Sequence, residues 1–180
     1  LGGLWAVTLA LIAGGIVLVR WMPAPPRSGC PTAPKGATMD HLARCDHAVK
    51  VTASSTDTGG GHDAAYLIDG RVGPEQEKWV SADGDRAPVV ELEWDRPVKM
   101  TRVILHHAGL REEHGYDTRE FTLHARVKGA WVELAHVHNN VLHLTTHTFP
   151  EVLTDALRLS IISPAVNGNN RARLFELEVR

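Results

Sequence analysis

The chain has 180 residues, a formal net charge of −2 at pH 7 and 22% charged residues. That length holds one domain of usual size plus an appendage. The near-neutral charge excludes nucleic acid as an expected partner, because neutralising phosphates needs a basic surface.

The first predicted element is an apolar run, "LGGLWAVTLALIAGGIVLV", which carries no charge from Leu1 to Val19 and is followed at once by Arg20 and Trp21. At helical rise it is about long enough to cross a hydrocarbon core. Trp5 and Trp21 suit the two interfacial belts, and the run lacks the polar stripe of a soluble surface helix. Residues 1–22 are therefore expected to form a single transmembrane helix, with the lipid bilayer as a partner. A cleavable signal peptide is the competing reading, although its apolar part is usually about 7–15 residues long and ends in a small-residue cleavage motif.

Residues 23–48 read as a Pro-rich linker, "PAPPRSGCPTAPKGATMDHLARCDHA", holding both cysteines of the chain, Cys30 and Cys45. Their spacing matches neither a zinc site nor a CxxC redox motif, and an even pair in a loop-rich segment reads as a disulfide staple. Closing such a loop stabilises by about 3 kcal/mol in the chain-entropy model. Two free cytosolic thiols are the alternative. The basic residues Arg20, Arg27 and Lys35 point by the positive-inside rule to a cytoplasmic C-terminal part. The cysteine pair points the other way, and the expectation is an extracytoplasmic domain, periplasmic or extracellular.

From residue 49 to 180 the texture changes to short alternating runs broken by Gly, Pro, Asn and Asp. In "REFTLHARVKGAWVELAHV", Phe121, Leu123, Ala125 and Val127 share one face while Thr122, His124, Arg126 and Lys128 share the other, which is the period of a half-buried strand. Lys128-Gly129-Ala130 then predicts a turn and a hairpin. Similar runs occur in "PVVELEW", "VKMTRVILHH", "VLHLTTHTF", "DALRLSII" and "RLFELEVR". About eight short antiparallel strands, and no helix of convincing length after the linker, predict an all-β jelly-roll sandwich.

The order of motifs carries more. "VTASST", "AAYLIDG", "KWVS", "VVELEWDRPVKMTRVILHH", "REFTLHARVKGAWVELA", "DALRLSII" and "LFELEVR" together resemble the discoidin domain, also called the coagulation-factor type C domain, of the galactose-binding-like jelly-roll superfamily. The resemblance implies a sandwich with ligand loops at one end and both chain ends at the other. It also implies a non-catalytic binder of sugars, lipid headgroups or proteins. For sugar-binding relatives it implies a structural calcium ion held by Asp69 and Glu176, with Glu77 standing where the family has a hydroxyl residue. Carboxylate oxygens are what such a hard cation takes. In the plainer reading Asp69 caps its own Asp-Gly turn and Glu176 is an exposed strand residue.

The loops "HHAGLREEHGYDT" and "AVNGNNRAR" supply the candidate binding residues Arg111, His114, Tyr116, Asn167, Asn169, Asn170 and Arg171. They are rich in charge and amide groups and poor in aromatics, a composition suited to polar, water-bridged contact. Among the eleven histidines, His136 and His138 are spaced by two, as ligands on one strand face must be, but no HExxH or cysteine-rich set accompanies them. No nucleophile elbow, phosphate loop or paired catalytic set is present, so no enzyme class is expected. Two functions from different classes follow. The favoured one is an accessory subunit of a larger membrane complex, such as an energy-converting one, docking on other protein subunits. The alternative is a membrane-tethered carbohydrate-binding module with glycans as partners. Convergence of the loop residues on an open pocket separates the two.

Overall fold

The computed structural model describes residues 7–12, 15–20, 41–44, 49–72, 78–112 and 114–180. Where the sequence predicts a helix, Val7–Ile12 (β1) and Gly15–Arg20 (β2) pair as an antiparallel two-stranded sheet, with Val7 opposite Arg20 and Ile12 opposite Gly15. An unbroken apolar run has no period to separate strand from helix, and the β-branched residues Val7, Thr8, Ile12, Ile16, Val17 and Val19 favour the extended form. No helix among the described residues is long and apolar enough to cross a membrane. Cys30 and Cys45 lie outside the described residues.

The remaining strands are Val49–Ala53 (β3), Trp79–Val80 (β4), Val89–His107 (β5), Glu120–Val127 (β6), Ala130–Val137 (β7), Leu144–Ser163 (β8) and Arg173–Val179 (β9). All their pairings are antiparallel, in the order β4-β9-β5-β8-β6-β7, with β3 on the first half of β5. Among the described residues this sheet has seven strands rather than about eight, because "VLHLTTHTF" and "DALRLSII" run together in β8 and "VVELEW" and "VKMTRVILHH" form one continuous strand, β5. Its register against β8 shifts between Glu93 and Val98, so "DRP" is carried as an irregularity within β5 rather than as a loop. Such shifts let β5 and β8 bend through both layers of the jelly-roll sandwich: β5 pairs with β3 over Val90–Trp94 and with β9 over Val103–His107.

The alternation read from the sequence is the one the core uses. Phe121, Leu123 and Ala125 of β6 face inward with Leu92, Met100, Leu105, Leu157, Leu159, Ile161 and Leu177. Trp79 is fully buried, and its indole N–H donates to the Ser55 carbonyl at 3.1 Å. The predicted hairpin is present: Val127 pairs with Ala130, and Lys128 and Gly129 have φ of 50° and 82°. Positive φ at both central residues gives the turn the twist that joins two antiparallel strands without splaying them.

At the base of the sandwich, the Leu42 N–H donates to the Val179 carbonyl at 2.7 Å and the Trp94 indole donates to the Leu42 carbonyl at 2.8 Å. Residues 41–44 are thereby held beside the last strand, which leaves the loops at the opposite ends of β5 and β9 to build a site.

Candidate functional site

Four loop segments meet around an open cleft of about 560 Å³. Asp57 and His62 come from the loop after β3, Lys78 and Val80 from β4 and its approach, Arg111, Glu112 and Tyr116 from the β5–β6 connection, and Arg171 and Arg173 from the entry to β9. Local hydrogen bonds fix each segment. Asp57 accepts from the Gly59 N–H at 3.0 Å, Asp63 caps the short 3-10 turn Ala64–Ile68 through the Ala65 N–H at 2.8 Å, and Asn169 Oδ1 accepts from the Arg171 N–H at 3.0 Å. The two outer loops also touch. Asn167 N–H donates to the Gly115 carbonyl at 3.0 Å, and a Cβ at residue 115 would lie 2.5 Å from that of Asn167, so only glycine lets the loops approach this closely.

The cleft is polar and biased to positive charge. Lys78, Arg111, Arg171 and Arg173 outnumber the carboxylates Asp57 and Glu112, with His62 alongside. Lys78 and Glu112 form a close, largely buried ion pair. Arg171 Nη1 donates to Asp57 Oδ2 at 2.7 Å, and the Gly59 N–H together with this guanidinium holds the Asp57 carboxyl below its usual pKa. Arg173 packs its guanidinium 4.2 Å from the centre of the Tyr116 ring and donates to Asn169 Oδ1 at 3.1 Å. Burial pulls the Arg173 pKa down, against the opposing pull of Tyr116 and Glu112. Arg111 is exposed at the rim. Donors held in place by acids and amides within one concavity can grip hydroxyl, carboxylate or sulfate groups through charge-assisted hydrogen bonds.

A family model described as the F5/8 type C domain matches residues 50–177. The chain belongs to the F5/8 type C domain family. Solved structures show the same fold for this F5/8 type C domain. One is the family 32 carbohydrate-binding module from Streptococcus pneumoniae EndoD, at 19% identity and TM-score 0.67, covering 78% of this chain and 99% of that one. Chitosan-binding module 1 from a Paenibacillus chitosanase/glucanase is similar at 20% identity and TM-score 0.62, covering 79% and 99%. A family 32 module from Clostridium perfringens NanJ, in complex with galactose, is similar at 19% identity and TM-score 0.59, covering 73% and 92%. Among curated proteins, none matches the sequence.

Of the residues expected from the sequence of this F5/8 type C domain, Arg111, Tyr116 and Arg171 line the cleft together. His114 lies on the 3-10 turn His114–Tyr116. Asn167 and Asn169 do not line it; their side-chain oxygens accept backbone N–H groups two residues on, the Asx-turn habit that competes with any ligand role. Asn170 is exposed and also outside the lining. Asp57, His62 and Lys78 were missed, whereas Glu112 and Arg173 lie in the two loops that supplied the candidates. The signal for the first two was the loop "TDTGGGHD", whose glycines and flanking polar residues mark it as a built turn. Nothing local marked Lys78, which is placed by its contact with Glu112, 34 residues away. Of the apolar loop side chains, Leu110 is 40% exposed, Val166 is half-buried, and Val141 and Leu142 of the β7–β8 loop are 68% and 60% exposed.

The calcium residues implied by the family fall elsewhere in the F5/8 type C domain, and Glu77 lies outside the described residues. Asp69 and Glu176 do come together. Glu176 is fully buried rather than exposed, its Oε2 accepts the Gly70 N–H at 3.2 Å, and His41 Nε2 stands 3.4 Å from its Oε1. The turn-capping role read for Asp69 is also present, through the Arg71 N–H at 2.9 Å. Burial, then the charge of Asp69, pushes the Glu176 pKa up to about 10. Two buried carboxylates that disfavour joint ionisation fit a hard cation in donor chemistry, and Asp69 and Glu176 would hold it through oxygen. A proton on Glu176 meets the same electrostatic need.

Proposed function

We propose that the chain is a non-catalytic carbohydrate-binding protein whose cleft takes a saccharide bearing a carboxylate or sulfate group. The observation that carries this is the cleft itself, a concavity in the size range of small-ligand sites, where four permanent cations face two carboxylates that are already engaged. Similar modules solved with galactose, with GalNAc-β-1,3-galactose and as a fucose-binding module support the sugar class. The surplus positive charge supports an acidic one. The apolar run Leu1–Val19 supports tethering of the domain to a membrane.

The test is a glycan array of sulfated, uronic and neutral saccharides. Hits are expected among the anionic members, and Arg111→Ala should weaken them about tenfold or more, the cost of one charge-assisted hydrogen bond. A preference for neutral sugars, or full binding by Arg111→Ala, overturns the anionic reading.

One observation favours the protein-docking alternative: Arg173 covers a face of Tyr116, the aromatic ring of the cleft lining, and so takes up a stacking surface. Mild-detergent purification with a tag on this chain separates the two readings. A stoichiometric protein partner released by changing Arg111 and Tyr116 together to Ala supports docking, and a single species supports the glycan reading.

A further inference from the structure

Glu120 opens β6, and His136 and His138 lie near the end of β7, the edge strand of the sheet. Phe121 pairs with Val137 and Thr122 with His136, so Glu120, His136 and His138 project from the same face, opposite the one that buries Phe121 and Leu123. Both imidazoles turn toward one oxygen: His138 Nδ1 is 2.9 Å and His136 Nε2 is 3.4 Å from Glu120 Oε1. The two rings are tilted 35° to each other with centroids 3.9 Å apart, and one ligand atom from each of the three residues falls within 4.8 Å of the others.

The two distances to Glu120 Oε1 match a shared ion. Two ligands bound at about 2.1 Å lie about 3.0–3.4 Å apart for angles between octahedral and tetrahedral. The frame is also fixed before any ion arrives. Asn140 N–H donates to the Arg119 carbonyl at 2.7 Å, Asn140 Nδ2 donates to the Thr118 carbonyl at 2.9 Å, and Arg119 donates to Asn139 Oδ1 at 3.0 Å. The residues on either side of the three ligands are therefore cross-tied between β6 and β7, and little ordering remains to be done on binding.

We propose that Glu120, His136 and His138 form a binding site for a divalent late first-row transition ion, zinc being the probe of choice. Two imidazole nitrogens and one carboxylate oxygen suit zinc, nickel and copper, whereas calcium and magnesium demand oxygen shells. His138 is 60% exposed, so the remaining positions on the ion open to solvent or to a donor from outside the chain. The bound ion clips the edge strand β7 to β6, independently of the cleft.

Isothermal titration of the full chain in mild detergent with zinc chloride, in a non-chelating buffer, tests this. One saturable site is expected. The double variant His136→Ala with His138→Ala should lose at least about a hundredfold in affinity, since loss of outer-shell partners alone costs 10–100-fold. Glu120→Gln should weaken it by about tenfold, and His124→Ala, which removes a neighbouring surface histidine on β6, should leave it unchanged. Thermal melting checks that each variant is folded, and copper(II) loading should give the paramagnetic signature of two nitrogen ligands in wild type and not in the double variant. An unchanged zinc isotherm in the folded double variant, a calcium isotherm that the double variant loses together with zinc binding, or no saturable zinc binding in wild type overturns the proposal.

Discussion

His107, at the end of β5, is fully buried, with Nε2 3.1 Å from Thr145 Oγ1 and its ring 5.7 Å from that of Phe121. Burial first, then the neighbouring His147, His106 and His143, pushes its pKa down to about 3. A depressed pKa on a base means that the folded state resists the proton which the unfolded chain accepts. The resulting stability is present above the unfolded value near 6.5 and is lost as pH falls from there toward 3. The slope approaches about 1.4 kcal/mol per pH unit for one proton. Urea denaturation of wild type and His107→Gln at pH 7, 6, 5 and 4 measures it. Wild type is expected to lose stability more steeply, and parallel curves would contradict a neutral buried ring.

Asn140, just past β7, shows what a single amide does for an element. It is 6% exposed, and its Nδ2 donates to the Thr118 carbonyl at 2.9 Å and the Leu142 carbonyl at 3.1 Å while its Oδ1 accepts from the Leu142 N–H at 2.9 Å. This one side chain holds the β7–β8 loop against the start of β6. Removing it takes this partner from the buried Thr118 carbonyl, at about 1–3 kcal/mol, so Asn140→Ala is expected to lower the urea midpoint accordingly. Proteolysis should then cut near the exposed Val141-Leu142 pair sooner than in wild type. The outer face of the same strands is held differently. Arg158 lies 4.0 Å over the Trp131 ring and donates to Glu91 at 2.7 Å, and Arg126 donates to Asp155 at 2.8 Å.

Across the whole molecule, Glu176 joins parts far apart in the chain, with His41 on one side and Gly70 on the other. A carboxyl whose folded pKa is raised has the opposite sign to His107. Its contribution is fully present below the unfolded value near 4.5 and is lost as pH rises toward about 10. At pH 8, calcium chloride is expected to raise the melting temperature of wild type by displacing the Glu176 proton and binding between the two carboxylates. Glu176→Gln, which mimics the protonated acid, should melt near wild type without calcium and gain nothing from it. A calcium gain retained by Glu176→Gln would place the ion elsewhere.

The sequence by itself determined the sandwich, because inside-outside alternation along a strand needs only local residue order. Phe121-Leu123-Ala125 and the Lys128-Gly129 turn were readable for that reason, as was the family order of motifs, and Arg111, Tyr116 and Arg171 were readable as polar loop residues, which line one cleft. Only the tertiary structure decided the rest. Asp57 meets Arg171 across 114 residues, Lys78 meets Glu112 across 34, and the buried pair Asp69 and Glu176 comes together only when β9 lies beside the loop after Ile68. Such contacts depend on where whole strands pack, and no local period encodes that. For the same reason Asn167 and Asn169 could not be told from ligand groups until their oxygens were seen on the backbone, and the apolar run read as a helix holds the paired strands Val7–Ile12 and Gly15–Arg20. Uniform apolarity specifies burial but carries no period to say in which conformation.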